Sequence, residues 1–191
     1  MEKFTAVEID EEDDWLIAEK LMYKHILLKT SKRNKIKLFL SDVDGTLTDS
    51  GMYYGNNGEE FKKFNTHDGK GFELLRNAGI KTGIITSENT KIVENRAKKL
   101  KVDFLFQGLE HKGKLDVTKE ICKELGITLE EVAYVGDDIN CKELLSSVGF
   151  AACPLNALDE IKEIPNIINL KKDGGDGAVR EFIELIIKEK I

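Results

Sequence analysis

The stretch Ile36-Lys37-Leu38-Phe39-Leu40-Ser41-Asp42-Val43-Asp44-Gly45-Thr46 decides the fold. Ile36 to Leu40 is an apolar run broken only by Lys37, and it stops at the turn-forming pair Ser41-Asp42. A run this short, apolar at nearly every position, is the signature of a strand buried on both faces. Further runs of the same kind follow at Ile80–Thr86, Phe104–Phe106, Val132–Val135 and Gly149–Ala152. Between them lie segments of helical period near Asp68–Ala78, Thr90–Leu100, Lys114–Leu125 and Asn140–Ser147. Ala178–Lys188 closes the chain with Val179, Phe182, Ile183 and Ile186 at helical spacing. Buried strands alternating with helices of 10–15 residues build βαβ units. The reading is therefore an α/β fold, a Rossmann-like parallel sheet with helices on both faces.

Two segments depart from this rhythm. Gly51–Phe64 holds two short strand-like runs about Asn56-Asn57-Gly58, a hairpin turn signal. Residues 1–30 carry an acidic stretch, Glu8–Asp14, and then an amphipathic helix with Trp15, Ala18, Leu21, Met22 and Ile26 on one face. The expected organisation is an N-terminal extension over 1–30 and one α/β domain over 31–191. The whole chain has 191 residues, 41% hydrophobic and 34% charged, with a net charge of −6. It has no apolar run long enough to span a membrane. An acidic chain is not built around a nucleic-acid groove. Three cysteines without a C-x-x-C pair fit a reducing, cytoplasmic setting.

The chemistry lies where strands end, since open parallel sheets bind ligands beyond the carboxyl ends of their strands. Asp42 and Asp44, two residues apart, turn into one crevice if Gly45 lets the chain bend. The second strand delivers Thr86-Ser87, the fourth Gly136-Asp137-Asp138, and the approach to the third helix Lys112 and Lys114. Carboxylates in this number suit Mg²⁺, which takes one or two of them together with waters and substrate phosphate. A carboxylate can attack phosphorus, a second can act as acid and base, and hydroxyl and ammonium groups can hold phosphoryl oxygens. Thr86 alone also suits an N-cap of the helix near Thr90. His67 and His111 form no zinc pattern and read as loop residues, and Cys141 reads as a small residue on a helix face.

With these strand ends in place, residues 36–191 resemble the haloacid dehalogenase superfamily phosphatases. The resemblance implies Asp42 as aspartyl nucleophile, Asp44 as general acid/base, Thr86 as the second-motif hydroxyl and Lys114 as the third-motif lysine. Lys112 competes for that last place, because the usual Asp-Lys-Leu reads Gly113-Lys114-Leu115 here. It also implies Mg²⁺ held by Asp42, by Asp137 and by Asp44 through its backbone carbonyl. The hairpin and the segment Gly174-Gly175-Asp176-Gly177-Ala178-Val179-Arg180-Glu181 resemble the capless branch that acts on 3-deoxy-ulosonic acid phosphates. In that branch a hairpin replaces the cap domain and the protein is typically a homotetramer.

Thr86-Ser87-Glu88 bears on the substrate. The octulosonate (KDO) 8-phosphate enzymes usually carry Arg where Glu88 stands. Glu88, Arg96 and Lys99 instead resemble the enzymes acting on KDN or N-acetylneuraminate 9-phosphate. The implied substrate-binding set is Thr86, Ser87, Glu88, Arg96, Lys99 and Lys114. Residues 6–22, AVEIDEEDDWLIAEKLM, resemble the carboxyl-terminal end of CMP-sialate synthetases. A nonulosonate 9-phosphate is thus the first expectation and KDO 8-phosphate the alternative. A non-catalytic oligomerisation module from a fused synthetase is the rival from another class, and it predicts a damaged catalytic set. A phosphomutase is weaker, since a small hairpin offers little cover against water.

Overall fold

The computed structural model describes residues 14–15, 36–109 and 113–188. Strand β1 (Leu38–Ser41) forms where the apolar run predicts it, and hairpin strands β2 (Tyr53–Tyr54) and β3 (Glu60–Phe61) follow. Then come α1 (Thr66–Asn77), β4 (Lys81–Ile85), α2 (Lys91–Leu100), β5 (Phe104–Phe106), α3 (Gly113–Leu125) and β6 (Val132–Val135). The chain closes with α4 (Lys142–Leu145), β7 (Phe150–Cys153), α5 (Asp159–Lys162), β8 (Ile168–Asn169) and α6 (Ala178–Lys188). The expected helix near Asn140–Ser147 is shorter, a 3₁₀ turn over Ile139–Cys141 running into α4.

The main sheet has the order β5-β4-β1-β6-β7-β8, and every pairing in it is parallel. β1 lies at its centre, with Leu38 beside Lys81 and Val132, and Ser41 beside Ile84 and Val135. From β1 the chain walks outward through β4 and β5, then returns to lay β6 on the other flank of β1. That reversal opens a crevice beyond the ends of β1 and β6.

The period-two alternation of strand side chains gives two cores. Phe39 points to the face covered by α1, α2 and α6, where it packs with Phe72, Ile84, Val93, Val179 and Phe182. Phe39 meets Phe72 edge-on, ring centroids 5.5 Å apart, and Phe150 meets Phe182 at 4.9 Å. Leu38 and Leu40 point the other way, into a core with Leu115, Ile121, Tyr134, Leu144 and Ile161. The apolar stripe of α6 is buried as its spacing predicts.

Residues Gly51–Phe64 form the predicted hairpin, Tyr53 pairing with Phe61 and Tyr54 with Glu60, and a bridge between Thr48 and Phe64 closes its base. Met52, Tyr53, Tyr54 and Phe61 are all exposed on it. The chain divides into one unit over residues 1–33 and another over 34–191. Of the first, Asp14 and Trp15 are described; both are helical. The rest of the expected amphipathic helix, the synthetase-like segment, Lys112 and His111 lie outside the described residues. Among the described residues no helix is long and apolar enough to cross a membrane.

Candidate active site

The site is built around Asp42, which follows β1 directly and is 4% exposed. Its backbone N–H still donates to Val135 of β6 at 3.0 Å, so the sheet fixes where the side chain starts. Oδ1 accepts the Val43 N–H at 2.8 Å. Oδ2 accepts from Lys114 Nζ at 2.6 Å and from the Cys141 thiol at 2.8 Å. Lys114 sits in the first turn of α3 and is itself 2% exposed. Burial pulls the ammonium pKa down most strongly, but Asp42 and Cys141 together outweigh it through charge and hydrogen bonds, and the pKa is raised. A doubly held, buried carboxylate with a fixed ammonium beside it is ready to meet an electrophilic phosphorus.

Asp137, after β6, lies across the crevice. Its Oδ1 accepts from the Thr46 hydroxyl at 2.9 Å. A Cβ on Gly45 would lie 1.9 Å from Asp137 Oδ2, and Gly45 has φ of 78°, so only glycine lets the loop pass this closely. Burial first, then the Asp42 charge, push the Asp137 pKa up to about 7. Two carboxylates this close ionise together more readily when a cation lies beside them. Among the described residues no group of three or more His, Cys, Asp and Glu side chains is arranged to hold one. Asp42 and Asp137 could hold a hard cation such as Mg²⁺, which takes one or two carboxylates together with other oxygen donors. Asp138 is exposed and caps the 3₁₀ turn through Ile139 N–H at 2.6 Å.

Asp44 turns away from this pair. Its carboxylate accepts from Lys62 Nζ at 2.6 Å, and the same ammonium donates to Glu88 at 2.6 Å. Burial raises the Asp44 pKa, Lys62 opposes, and the net shift is upward, toward a carboxyl that can carry a proton. Thr86, 1% exposed, follows β4, and its hydroxyl accepts the Glu88 N–H at 3.4 Å. It does not cap the next helix; Thr90 does, accepting from Val93 N–H. Ser87 Oγ accepts from Asn140 Nδ2 at 3.1 Å, which ties the second strand end to the fourth.

Asp42, Asp44, Thr86, Ser87, Glu88 and Asp137 thus follow the adjacent strands β4, β1 and β6, and Lys114 reaches Asp42 from the first turn of α3. Arg96 and Lys99 are not part of this network. Arg96 stacks on Phe64, 5.1 Å from its ring centroid, and donates to Asn65 O at 2.9 Å, while Lys99 lies on the exposed face of α2. Cys141 corrects the expectation of a bland helix-face residue. It is fully buried, accepts from Tyr134 Oη at 3.1 Å, and touches the candidate nucleophile. Burial holds its thiol well above the ordinary range, so it remains a neutral donor.

Three supports escape a reading of the sequence. Lys62 comes from the hairpin. Asn156 bonds Gly45 O at 3.0 Å and Gly174 N–H at 2.6 Å. A Cβ on Gly174 would lie 1.9 Å from Gly45 O, so the glycine-rich loop before α6 presses directly on the loop after β1. Long-range pairings of this kind leave no local spacing to read.

Two models of haloacid dehalogenase-like hydrolases match residues 68–142 and 110–183. The 3-deoxy-D-manno-octulosonate 8-phosphate phosphatase KdsC of Escherichia coli (strain K12) is 37% identical over 158 residues, 82% of either chain. The corresponding phosphatase from Moraxella catarrhalis, solved with magnesium, phosphate and KDO, superposes with a TM-score of 0.79. It is 36% identical, over 86% of this chain and 92% of that one. The cobalt-bound enzyme from Haemophilus influenzae has a TM-score of 0.76 and 30% identity, over 82% and 90%. The chain is a phosphatase and belongs to the 3-deoxy-D-manno-octulosonate 8-phosphate phosphatase family of haloacid dehalogenase-like hydrolases.

Proposed function

We propose that the chain hydrolyses the terminal phosphate monoester of a 3-deoxy-ulosonic acid, with 3-deoxy-D-manno-octulosonate 8-phosphate as the first substrate to consider. The relatives named above support that choice. The observation that carries the mechanism is the buried Asp42 carboxylate held by Lys114 at 2.6 Å in the crevice between β1 and β6. Asp42 attacks phosphorus in line while Asp44 gives its proton to the departing sugar oxygen, leaving an aspartyl-phosphate and a free sugar. Asp44, now ionised, takes a proton from water, and the resulting attack on phosphorus releases phosphate and restores Asp42. Lys114 and the Thr86 hydroxyl hold the equatorial oxygens as charge shifts in the transition state. Asp42, Asp137 and the Asp44 backbone carbonyl would hold Mg²⁺, which would supply charge neutralisation.

A nonulosonate 9-phosphate, KDN or N-acetylneuraminate, is the second reading. It is favoured by Glu88, a carboxylate standing where the octulosonate enzymes carry Arg and joined through Lys62 to Asp44. The exposed aromatic hairpin supports a homotetramer with hairpins packed together. The intact set Asp42, Asp44, Thr86, Lys114 and Asp137 weighs against a non-catalytic module. The test is Mg²⁺-dependent phosphate release from KDO 8-phosphate, KDN 9-phosphate and N-acetylneuraminate 9-phosphate side by side, with Asp42→Asn as control. A tenfold preference, about 1.4 kcal/mol, decides between the substrates. No release from any of them, or full turnover by Asp42→Asn, defeats the mechanism.

A further inference from the structure

Lys62 is the least expected cation of the structure. It follows β3 in the hairpin, and its neighbours Phe61 and Lys63 point to solvent. Alternation along the strand turns Lys62 inward, where its side chain is only 1% exposed. Burying a lysine forfeits hydration and the freedom of a long side chain, so it persists where partners compensate for both. Here there are three. Asp44 and Glu88 each accept from the ammonium at 2.6 Å, and Glu60 lies 3.7 Å away with its Oε1 buried and without a hydrogen-bond partner. An ammonium has three donors. Two are spent on carboxylates that the fold brings from different strand ends, the loop after β1 and the loop after β4.

The carboxyl of an aspartate turns freely about its last torsion unless something holds it. Asp42 is held by Val43, Lys114 and Cys141. Asp44 is held by Lys62, and an acid must sit within hydrogen-bond reach of the oxygen it protonates. The hairpin in turn is anchored at its base, by the Thr48–Phe64 bridge and by Arg96 stacked on Phe64. We propose that Lys62 is a positioning residue for the reaction, setting the Asp44 carboxyl for proton transfer to the leaving sugar oxygen and coupling it to Glu88 and the hairpin. The inference rests on the phosphatase mechanism proposed above.

The reaction itself supplies the discriminating readout. A sugar alkoxide leaves only with a proton from Asp44, whereas p-nitrophenolate leaves without one. Lys62→Met should lower kcat for KDO 8-phosphate by about 30- to 100-fold, within the range of general acid catalysis. The p-nitrophenol burst from p-nitrophenyl phosphate, which reports the first step alone, should change by less than about threefold. Lys62→Arg, which keeps the charge, should recover at least about tenfold of the loss on the sugar phosphate. In an Asp44→Asn background Lys62→Met should cost no more than about twofold further, since a residue acting through Asp44 has nothing left to position. Equal losses on both substrates, a change confined to KM, or full additivity with Asp44→Asn would overturn the proposal. If Lys62→Met does not fold, Lys62→Gln, which is uncharged but keeps a donor, decides by the same comparison, through a loss on the sugar phosphate not shared by the burst. Wild-type protein inactive on every sugar phosphate defeats the underlying mechanism; active wild type with an unimpaired Lys62→Met defeats the role of Lys62 alone.

Discussion

Replacing Lys114 by Met tests the centre of the site through stability and activity at once. Asp42 and Lys114 have side chains 6% and 3% exposed, so the pair is removed from water on both sides. Loss of one partner of such a pair strands the other, at a cost of about 3–5 kcal/mol. Asp42 would still accept from Val43 N–H and the Cys141 thiol, which places the expected loss near the low end, about 3 kcal/mol. For a chain of this size that corresponds to a fall in Tm of about 6–12 °C. The assay is urea and thermal unfolding of metal-free protein, with a chelator present so that no cation substitutes for the ammonium. Asp42→Asn/Lys114→Met, which leaves neither charge behind, should recover at least half of the lost stability. In the same preparations kcat of Lys114→Met should fall by about 10²–10³-fold, the scale of losing one preorganised donor. A stability loss below about 1 kcal/mol, or a double variant as unstable as Lys114→Met alone, would refute the assignment of a coupled buried pair.

Asp68 gives a pH-dependent prediction. It is fully buried at the start of α1, Oδ1 accepts the Arg180 N–H of α6 at 2.7 Å, and burial raises its pKa from 3.8 to about 6. The folded chain therefore holds this proton more tightly than the unfolded one. The contribution, about 3 kcal/mol, is fully present below about pH 4 and lost as pH rises through about 6. Asp68→Asn should flatten stability over that window, measured by urea unfolding at each pH. Cys141→Ser should keep activity within about threefold while Cys141→Ala loses about tenfold or more in kcat, since a donor to a charged acceptor is worth about 1.5–3 kcal/mol. Tyr54→Glu, on the exposed face of the hairpin, should shift the proposed homotetramer to smaller species in light scattering without lowering the helix content of the chain.

Much of this architecture is legible in the sequence, for identifiable reasons. β1 and the two carboxylates after it are written in consecutive residues, so strand period, turn and chemistry coincide. The hairpin is legible because Asn56-Asn57-Gly58 is a local turn signal; Gly58 has φ of 86°. β8 is not legible. It is two residues at a sheet edge, given its conformation by β7 rather than by its own pattern. Lys62 reads as one of two adjacent hairpin lysines, and its inward direction is set only once β2 and β3 pair. Cys141 looks like part of a regular helix, but the 3₁₀ turn that starts at Ile139 rotates it under Asp42. Arg96 and Lys99 come from resemblance, and their helix places them away from the Asp42 network. Side chains within one strand end can be read in sequence; those that meet across the fold cannot.

The contact between Gly174 and the carbonyl of Gly45 has a consequence for biogenesis. The loop after β1 is among the first parts of this unit to emerge during synthesis, and the glycine that seals it is among the last. Contacts this distant in sequence form late, after the closure entropy of a long chain has been met. A nascent or C-terminally nicked chain therefore lacks the glycine that packs on the Gly45 loop beside Asp44. Such a fragment carries the motif that marks the enzyme without the contact that closes the loop around it.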